Sequence, residues 1–124
     1  MRIAIGAVCI ENGQILLVKK GEFWILPGGK PNENEFWIDC LKREISEELP
    51  NVQVKVISKY DTFEGITPHK GDSLRCVVYF TEIEGEIRPA AEISEAAWVT
   101  NPLDINLSDI TRKIILKLQS DGYL

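Results

Sequence analysis

Glu44, Glu47 and Glu48 stand at i, i+3 and i+4 in the stretch Arg43-Glu44-Ile45-Ser46-Glu47-Glu48. On a helix, at about 100° per residue, Glu48 lies about 40° to one side of Glu44 and Glu47 about 60° to the other, so three carboxylates share one sector. Like charges at these spacings repel by roughly a few tenths of a kcal/mol per pair. The sector borders an apolar stripe of Trp37, Leu41, Ile45 and Leu49. That places the acids at the edge of a core, where repulsion grows as the effective dielectric falls. A divalent cation would relieve it. Carboxylate oxygens without His or Cys favour Mg²⁺, Ca²⁺ or Mn²⁺ over Zn²⁺ or Cu²⁺. Mg²⁺ takes few carboxylates and completes its shell with water and phosphate oxygens, so a Mg²⁺ site implies a phosphate-bearing substrate. Just upstream, Gly28-Gly29 offers backbone that can approach a metal or a phosphate closely. Helix spacing taken alone favours a plain solvated Glu-rich face.

The elements that must position these acids can be read from the same chain. Ile3 to Ile10 and Gln14 to Lys20 are strand-like, and Asn12-Gly13 between them signals a hairpin. Phe23 to Leu26 reads as a short strand that Pro27-Gly28-Gly29 breaks into a loop, prolonged by Pro31, Asn32 and Asn34. Apolar residues recurring every fourth position predict a helix from Glu35 to Leu49, stopped by Pro50. Val52 to Tyr60, Leu74 to Ile83 and Ala97 to Thr100 read as strands, with a turn-rich loop from Glu64 to Asp72. Ser108 is placed to cap a last helix with Ile110, Ile114, Ile115 and Leu118 on one face. Strands around one central helix, closed by a second, predict an α/β fold: a mixed β-sheet covered by helices on both faces.

The 124 residues fit one domain, 1–124, long enough to bury a core without disulfides or a structural metal. The net charge of −5 and the absence of a basic face argue against a nucleic acid polymer as partner. Cys9, Cys40 and Cys76 are odd in number, widely spaced and set in apolar runs. They read as core residues rather than a disulfide framework or zinc site, and reduced thiols fit a cytoplasmic location. Arg2 followed by Ile3 to Ile10 reads as a buried strand feeding a turn rather than a secretion signal. No apolar run approaches the ~20 residues of a membrane helix, so no membrane partner is expected. Without secretion, the glycosylation pattern Asn106-Leu107-Ser108 carries no weight. A homodimer stays open.

The spacing extends beyond the three acids. Gly29, five residues, Glu35, seven residues, then Arg43 to Glu48 resembles the Nudix box, G-x5-E-x7-R-E-U-x-E-E-x-G-U, where U is a bulky aliphatic. A hairpin before it, the lead-in Trp24 to Gly29, and an acid-rich stretch ending in Trp98 extend the resemblance over nearly the whole chain. The resemblance implies a Nudix-type α/β/α sandwich. It implies that Glu44, Glu47 and Glu48 are catalytic and ligate the metal, that the Gly29 carbonyl adds a ligand, and that Glu35 and Arg43 form a supporting ion pair. Glu92, six residues before Trp98, is similar to the extra catalytic acid that MutT-like members bring from a loop; Glu95 is a weaker rival. Pro50 and Asn51 depart from the pattern where glycine and an aliphatic residue are usual, and Asn34 stands where a glycine is frequent. None of these bears a catalytic carboxylate. They predict altered helix-end geometry, with Asn51 tolerating an unusual turn, Val52 supplying the apolar contact, and Asn34 accepting left-handed backbone.

The resemblance implies Mg²⁺-dependent hydrolysis, with Mn²⁺ as a substitute, of a pyrophosphate bond in a small nucleoside diphosphate-linked substrate. The short chain favours a MutT-like (deoxy)nucleoside triphosphate pyrophosphatase giving monophosphate and pyrophosphate. ADP-ribose or NDP-sugar cleavage, cap-like cleavage, and a catalytically silent nucleotide- or protein-binding module are the competing readings; retention of all three box glutamates argues against the last. The order of candidates for general base is Glu44, Glu92, Glu48. Phe23 and Trp24 could stack on a base but read first as core aromatics. His69, Lys70, Arg75, Arg2 and Lys19 are candidates for phosphate contact.

Overall fold

The computed structural model describes residues 2–67 and 71–124. In chain order the strands are β1 (Arg2–Val8), β2 (Ile10–Glu11), β3 (Gln14–Lys20), β4 (Phe23–Ile25) and β5 (Gly28–Gly29). Helix α1 (Trp37–Glu48) follows, then β6 (Val52–Ile66), β7 (Ser73–Gly85), β8 (Ile93–Val99), a 3₁₀ turn at Pro102–Asp104, and α2 (Asp109–Ser120). Among the described residues no helix is long and apolar enough to cross a membrane.

The strands form two sheets. One has the order β5-β1-β7-β6, with β1 parallel to β7 and the other pairings antiparallel. In the other, β3 pairs antiparallel with β2, β4 and β8. Side chains alternate across a strand, and here both faces are covered. Ile5 and Ala7 of β1, Leu16 and Val18 of β3 and Val77 of β7 join Cys40, Leu41 and Ile45 of α1. Val8, Ile15, Leu17, Cys76 and Val78 join Ile110, Ile114, Ile115 and Leu118 of α2. The two clusters make the α/β/α sandwich. Two-sided burial explains why β1 and β3 read as apolar runs rather than alternating strands.

Several boundaries differ from the sequence reading. The run Ile3 to Ile10 is not one strand: β1 stops at Val8 and β2 enters the other sheet, with the Cys9 carbonyl accepting from Leu16 N–H at 3.0 Å. Gly28-Gly29 is not loop but strand, because Ile5 and Gly6 offer it a free edge. The start of the expected Glu64 loop is strand, since β6 runs on to Ile66 opposite Ser73. Strand β8 begins four residues earlier than expected, drawn in by pairing with β3. The hairpin at Asn12-Gly13 has both residues at positive φ, 52° and 75°.

Leu41, Ile45 and Leu49 are fully buried, which is worth roughly 1.5–3 kcal/mol each. Trp37, the first member of the expected stripe, is 40% exposed instead. A four-residue repeat drifts about 40° per step on a helix, so three steps turn Trp37 away from the core side. Cys40 takes its place. The helix ends without a left-handed residue: Leu49 donates to Ile45 O, Pro50 follows, and Ala90 N–H caps the Glu48 carbonyl at 2.9 Å. Asn51 therefore adopts no unusual turn, while Val52 packs on the α1 cluster and Asn34 is left-handed at φ 63°. At α2, Ser108 Oγ accepts from Thr111 N–H.

Candidate active site

Helix α1 lays its C-terminal half against β5, and the acids of the box emerge on that side. Glu48 is only 8% exposed, and its Oε1 accepts from Gly28 N–H at 3.0 Å. Burial pushes its carboxyl up to about 8, with Glu44 and Glu92 adding to the rise and Gly28 N–H and Lys20 opposing it. A desolvated carboxyl among other acids is a group that gains from a cation.

Arg43 organises the rest. Its Nε donates to Glu35 Oε2 at 2.8 Å and its Nη2 to Oε1 at 2.9 Å, a two-point grip that fixes both planes. Nη2 also reaches the Lys30 carbonyl at 3.1 Å, and Nη1 reaches Glu44 at 3.0 Å and Glu47 at 3.4 Å. Glu35 in turn accepts from Asn32 N–H at 2.9 Å. Arg43, then Asn32 N–H, pull the Glu35 carboxyl down to about 2. The pair ties the box loop to the helix.

A Cβ at Gly29 would meet the carboxyl group of Glu44 and push it aside. The Glu44 carboxylate is thus seated directly on the β5 backbone. Beneath it, Cys40 Sγ lies 3.7 Å from the Gly29 carbonyl.

Glu92, in the turn before β8, bonds Lys20 Nζ at 2.8 Å, which holds its carboxyl below the usual range. It shares a cavity of about 500 Å³ with Gly28, Gly29, Glu44, Glu47 and Glu48. Away from the acids the cavity has an apolar limb lined by Ala4, Gly6, Leu26, Leu74, Cys76 and Ile110, with Ser108 and Thr111 also in its lining. Among the described residues no three acids converge closely enough to grip a cation as they stand, since Arg43 draws Glu44 and Glu47 aside.

The lesser candidates separate cleanly. Glu95 pairs with Lys19 at 3.4 Å, and neither lines the cavity. Arg75 pairs with Glu64 and also stays outside it. Arg2 lines the cavity while paired with Asp72. Trp24 packs against the α2-side core, as a core aromatic would. His69 and Lys70 lie outside the described residues. Sequence reasoning missed Lys20 and the Ser108–Thr111 pair. An irregularity between Lys19 and Lys20 sets Lys20 opposite Ile93, next to Glu92, and nothing in the local sequence announces it.

A family model described as NUDIX domain matches residues 1–113. The chain belongs to the NUDIX family. It is a Nudix pyrophosphohydrolase, and this family's enzymes hydrolyse pyrophosphate bonds in nucleotide derivatives, generally with a divalent metal such as Mg²⁺. A MutT NUDIX hydrolase from Burkholderia pseudomallei is 26% identical at a TM-score of 0.81, covering 94% of this chain and 97% of that one. A MutT protein from Methanosarcina mazei Go1 is 20% identical at 0.83, covering 98% and 94%. A UDP-X diphosphatase is 19% identical at 0.79, covering 99% of this chain and 64% of its own. Below 25% identity the likeness is one of fold. No curated protein matches.

Proposed function

We propose that this enzyme cleaves a nucleoside triphosphate to nucleoside monophosphate and pyrophosphate, with Mg²⁺ held by Glu44, Glu47, Glu48 and the Gly29 carbonyl, and with residues 1–124 acting as one catalytic unit. The observation that carries the reading is the single cavity that joins these acids to an apolar limb. One end suits a charged polyphosphate bridged by a cation, the other an organic group.

The residues present fit a hard divalent ion. The donors are carboxylate and carbonyl oxygens, Glu48 is desolvated, and Gly29 gives Glu44 access to bare backbone. Arg43 can release Glu44 and Glu47 and still keep its two-point grip on Glu35. Bound there, Mg²⁺ would neutralise charge on the phosphate oxygens. The chain's own groups do the remainder. Glu44 is the first candidate to take the proton of the attacking water, followed by Glu92 and Glu48. As that water's oxygen bonds to phosphorus, the bridging P–O bond breaks and the pyrophosphate leaves. Lys20 and Arg2 add positive charge at the cavity wall.

The deciding experiment measures product release from nucleoside triphosphates, NDP-sugars, ADP-ribose and dinucleoside polyphosphates, with Mg²⁺, with Mn²⁺ and with neither. Pyrophosphate release from triphosphates, dependent on the cation, is expected. Turnover confined to NDP-sugars or ADP-ribose would replace the substrate assignment, a reading the UDP-X diphosphatase keeps in view.

A further inference from the structure

Helix α1 starts without a side-chain cap. Its N-cap position holds Phe36, which offers no acceptor to the first turn. Ser, Thr, Asp or Asn there would satisfy one of the open N–H groups. Phe36 does not pack either, since it is 80% exposed. Trp37 and Ile38 follow it at 40% and 43% exposed. With Tyr79 of β7 they line an open cleft of about 500 Å³, edged by Glu35. None of these four residues lines the cavity of the acids. Three large apolar side chains in a row thus serve neither as cap, nor as core, nor in the active site.

Size and charge say what covers them. At roughly 200 Å² per aromatic side chain, Phe36 and Trp37 alone present about 250 Å². With Ile38 and Tyr79 the patch reaches the few hundred Å² that mark a contact site. A standard interface takes about 800 Å² per partner, apolar in the middle and polar at the rim, and this patch has the size of such a middle. Around it stand Glu33 and Asp39, next to the apolar run in sequence, Lys42 one turn beyond Ile38, and Lys59 opposite Tyr79 in the β6–β7 ladder. All four are exposed, and among the described residues none makes an ion pair. Two acids and two lysines balance locally, in a chain whose net charge is −5. An anionic membrane surface would call for a cationic rim, and a strongly charged protein for a rim of one sign. A balanced rim suits a second copy of itself, because in a two-fold contact each residue i meets j while j meets i.

We propose that the face formed by Phe36, Trp37 and Ile38 is the core of a two-fold interface between two copies of this chain, closed at its rim by Asp39 of one copy against Lys42 of the other. The patch shares no residue with the acid cavity, so each copy keeps its own site.

The test is sedimentation velocity from low micromolar to several hundred micromolar protein, with thermal melting of each variant. The wild type should pass from monomer to dimer as concentration rises. Phe36→Ser should stay monomeric throughout, yet melt at or above the wild-type monomer, because serine supplies the missing cap. A Phe36 that served only its own chain would do the reverse, lowering the melting temperature and leaving the dimer intact, and the proposal would fall. Asp39→Lys and Lys42→Asp each set like charges face to face and should weaken the dimer by about tenfold or more. The two reversals together should restore it. If Phe36→Ser does not fold, this charge series carries the test alone. A double reversal no tighter than the single ones would overturn the two-fold pairing. So would a wild type that stays monomeric at every concentration, whether or not it floats with phosphatidylcholine–phosphatidylglycerol vesicles; flotation would give the face to a membrane instead.

Discussion

At the scale of single residues, the acids of α1 differ in what surrounds them. Glu48 is buried on the Gly28 N–H, whereas Glu47 is half exposed and reached by Arg43. Replacing either with Gln keeps the shape and removes the charge. Glu47→Gln and Glu48→Gln are each expected to lower kcat by about two orders of magnitude or more while melting stays near wild type. Full activity in either variant would sink the metal assignment. Glu35 makes a different kind of prediction. Its folded carboxyl titrates at about 2 against an ordinary 4.5. The stability it contributes is complete above pH 4.5 and fades as pH falls toward 2. Glu35→Gln should therefore melt below wild type at pH 6, with the gap closing across that window. A gap that stays constant from pH 6 to pH 2 would show that the Arg43 pair contributes nothing to stability.

At the scale of elements, caps and registers decide what the box can present. Ser108 holds the first turn of α2, and Ser108→Ala should cost about 1 kcal/mol in a denaturant titration. A loss near zero would mean that buried Ile114, Ile115 and Leu118 hold the helix unaided. Much of this was legible beforehand. The α1 acids, the Asn12-Gly13 hairpin and the Ser108 cap rest on local periodicity and turn chemistry, which a sequence carries within a few residues. What was hidden depended on a partner distant in the chain. Gly28-Gly29 becomes a strand only because β1 presents an edge to it, and β6 lengthens only because β7 pairs with it as far as Ser73, across two irregularities. Trp37 follows a four-residue repeat, and over three steps that repeat drifts off the core side. Lys20 meets Glu92 across an irregularity in the β3–β8 pairing, 72 positions along the chain.

At the scale of the whole molecule, the acids sit on a scaffold held by two apolar clusters rather than by a cation. Chelation with EDTA should therefore abolish turnover while the circular dichroism spectrum and the cooperativity of melting persist. Adding Mg²⁺ back should restore activity and raise the melting temperature, because a ligand that binds only the folded state stabilises it. Collapse of the fold in EDTA would instead make the cation structural. The three thiols fit the same picture. Burial pushes Cys9 and Cys76 up to about 12 and Cys40 to about 11, so oxidants should leave the native enzyme untouched.

The parallel pairing of β1 with β7 also sets an order of events. Strands β6 and β7 are neighbours along the chain and can zip as a hairpin, but Arg2 must find Leu74 and Val8 must find Phe80. Pairings so far apart form slowly, because a long loop must close before any contact rewards it. On the ribosome, β1 has to wait until β7 has emerged. Until then β1 has only the short glycine strand β5 beside it, and its other edge stays open. The newborn chain thus holds its acids on a nascent helix well before it has a place to use them.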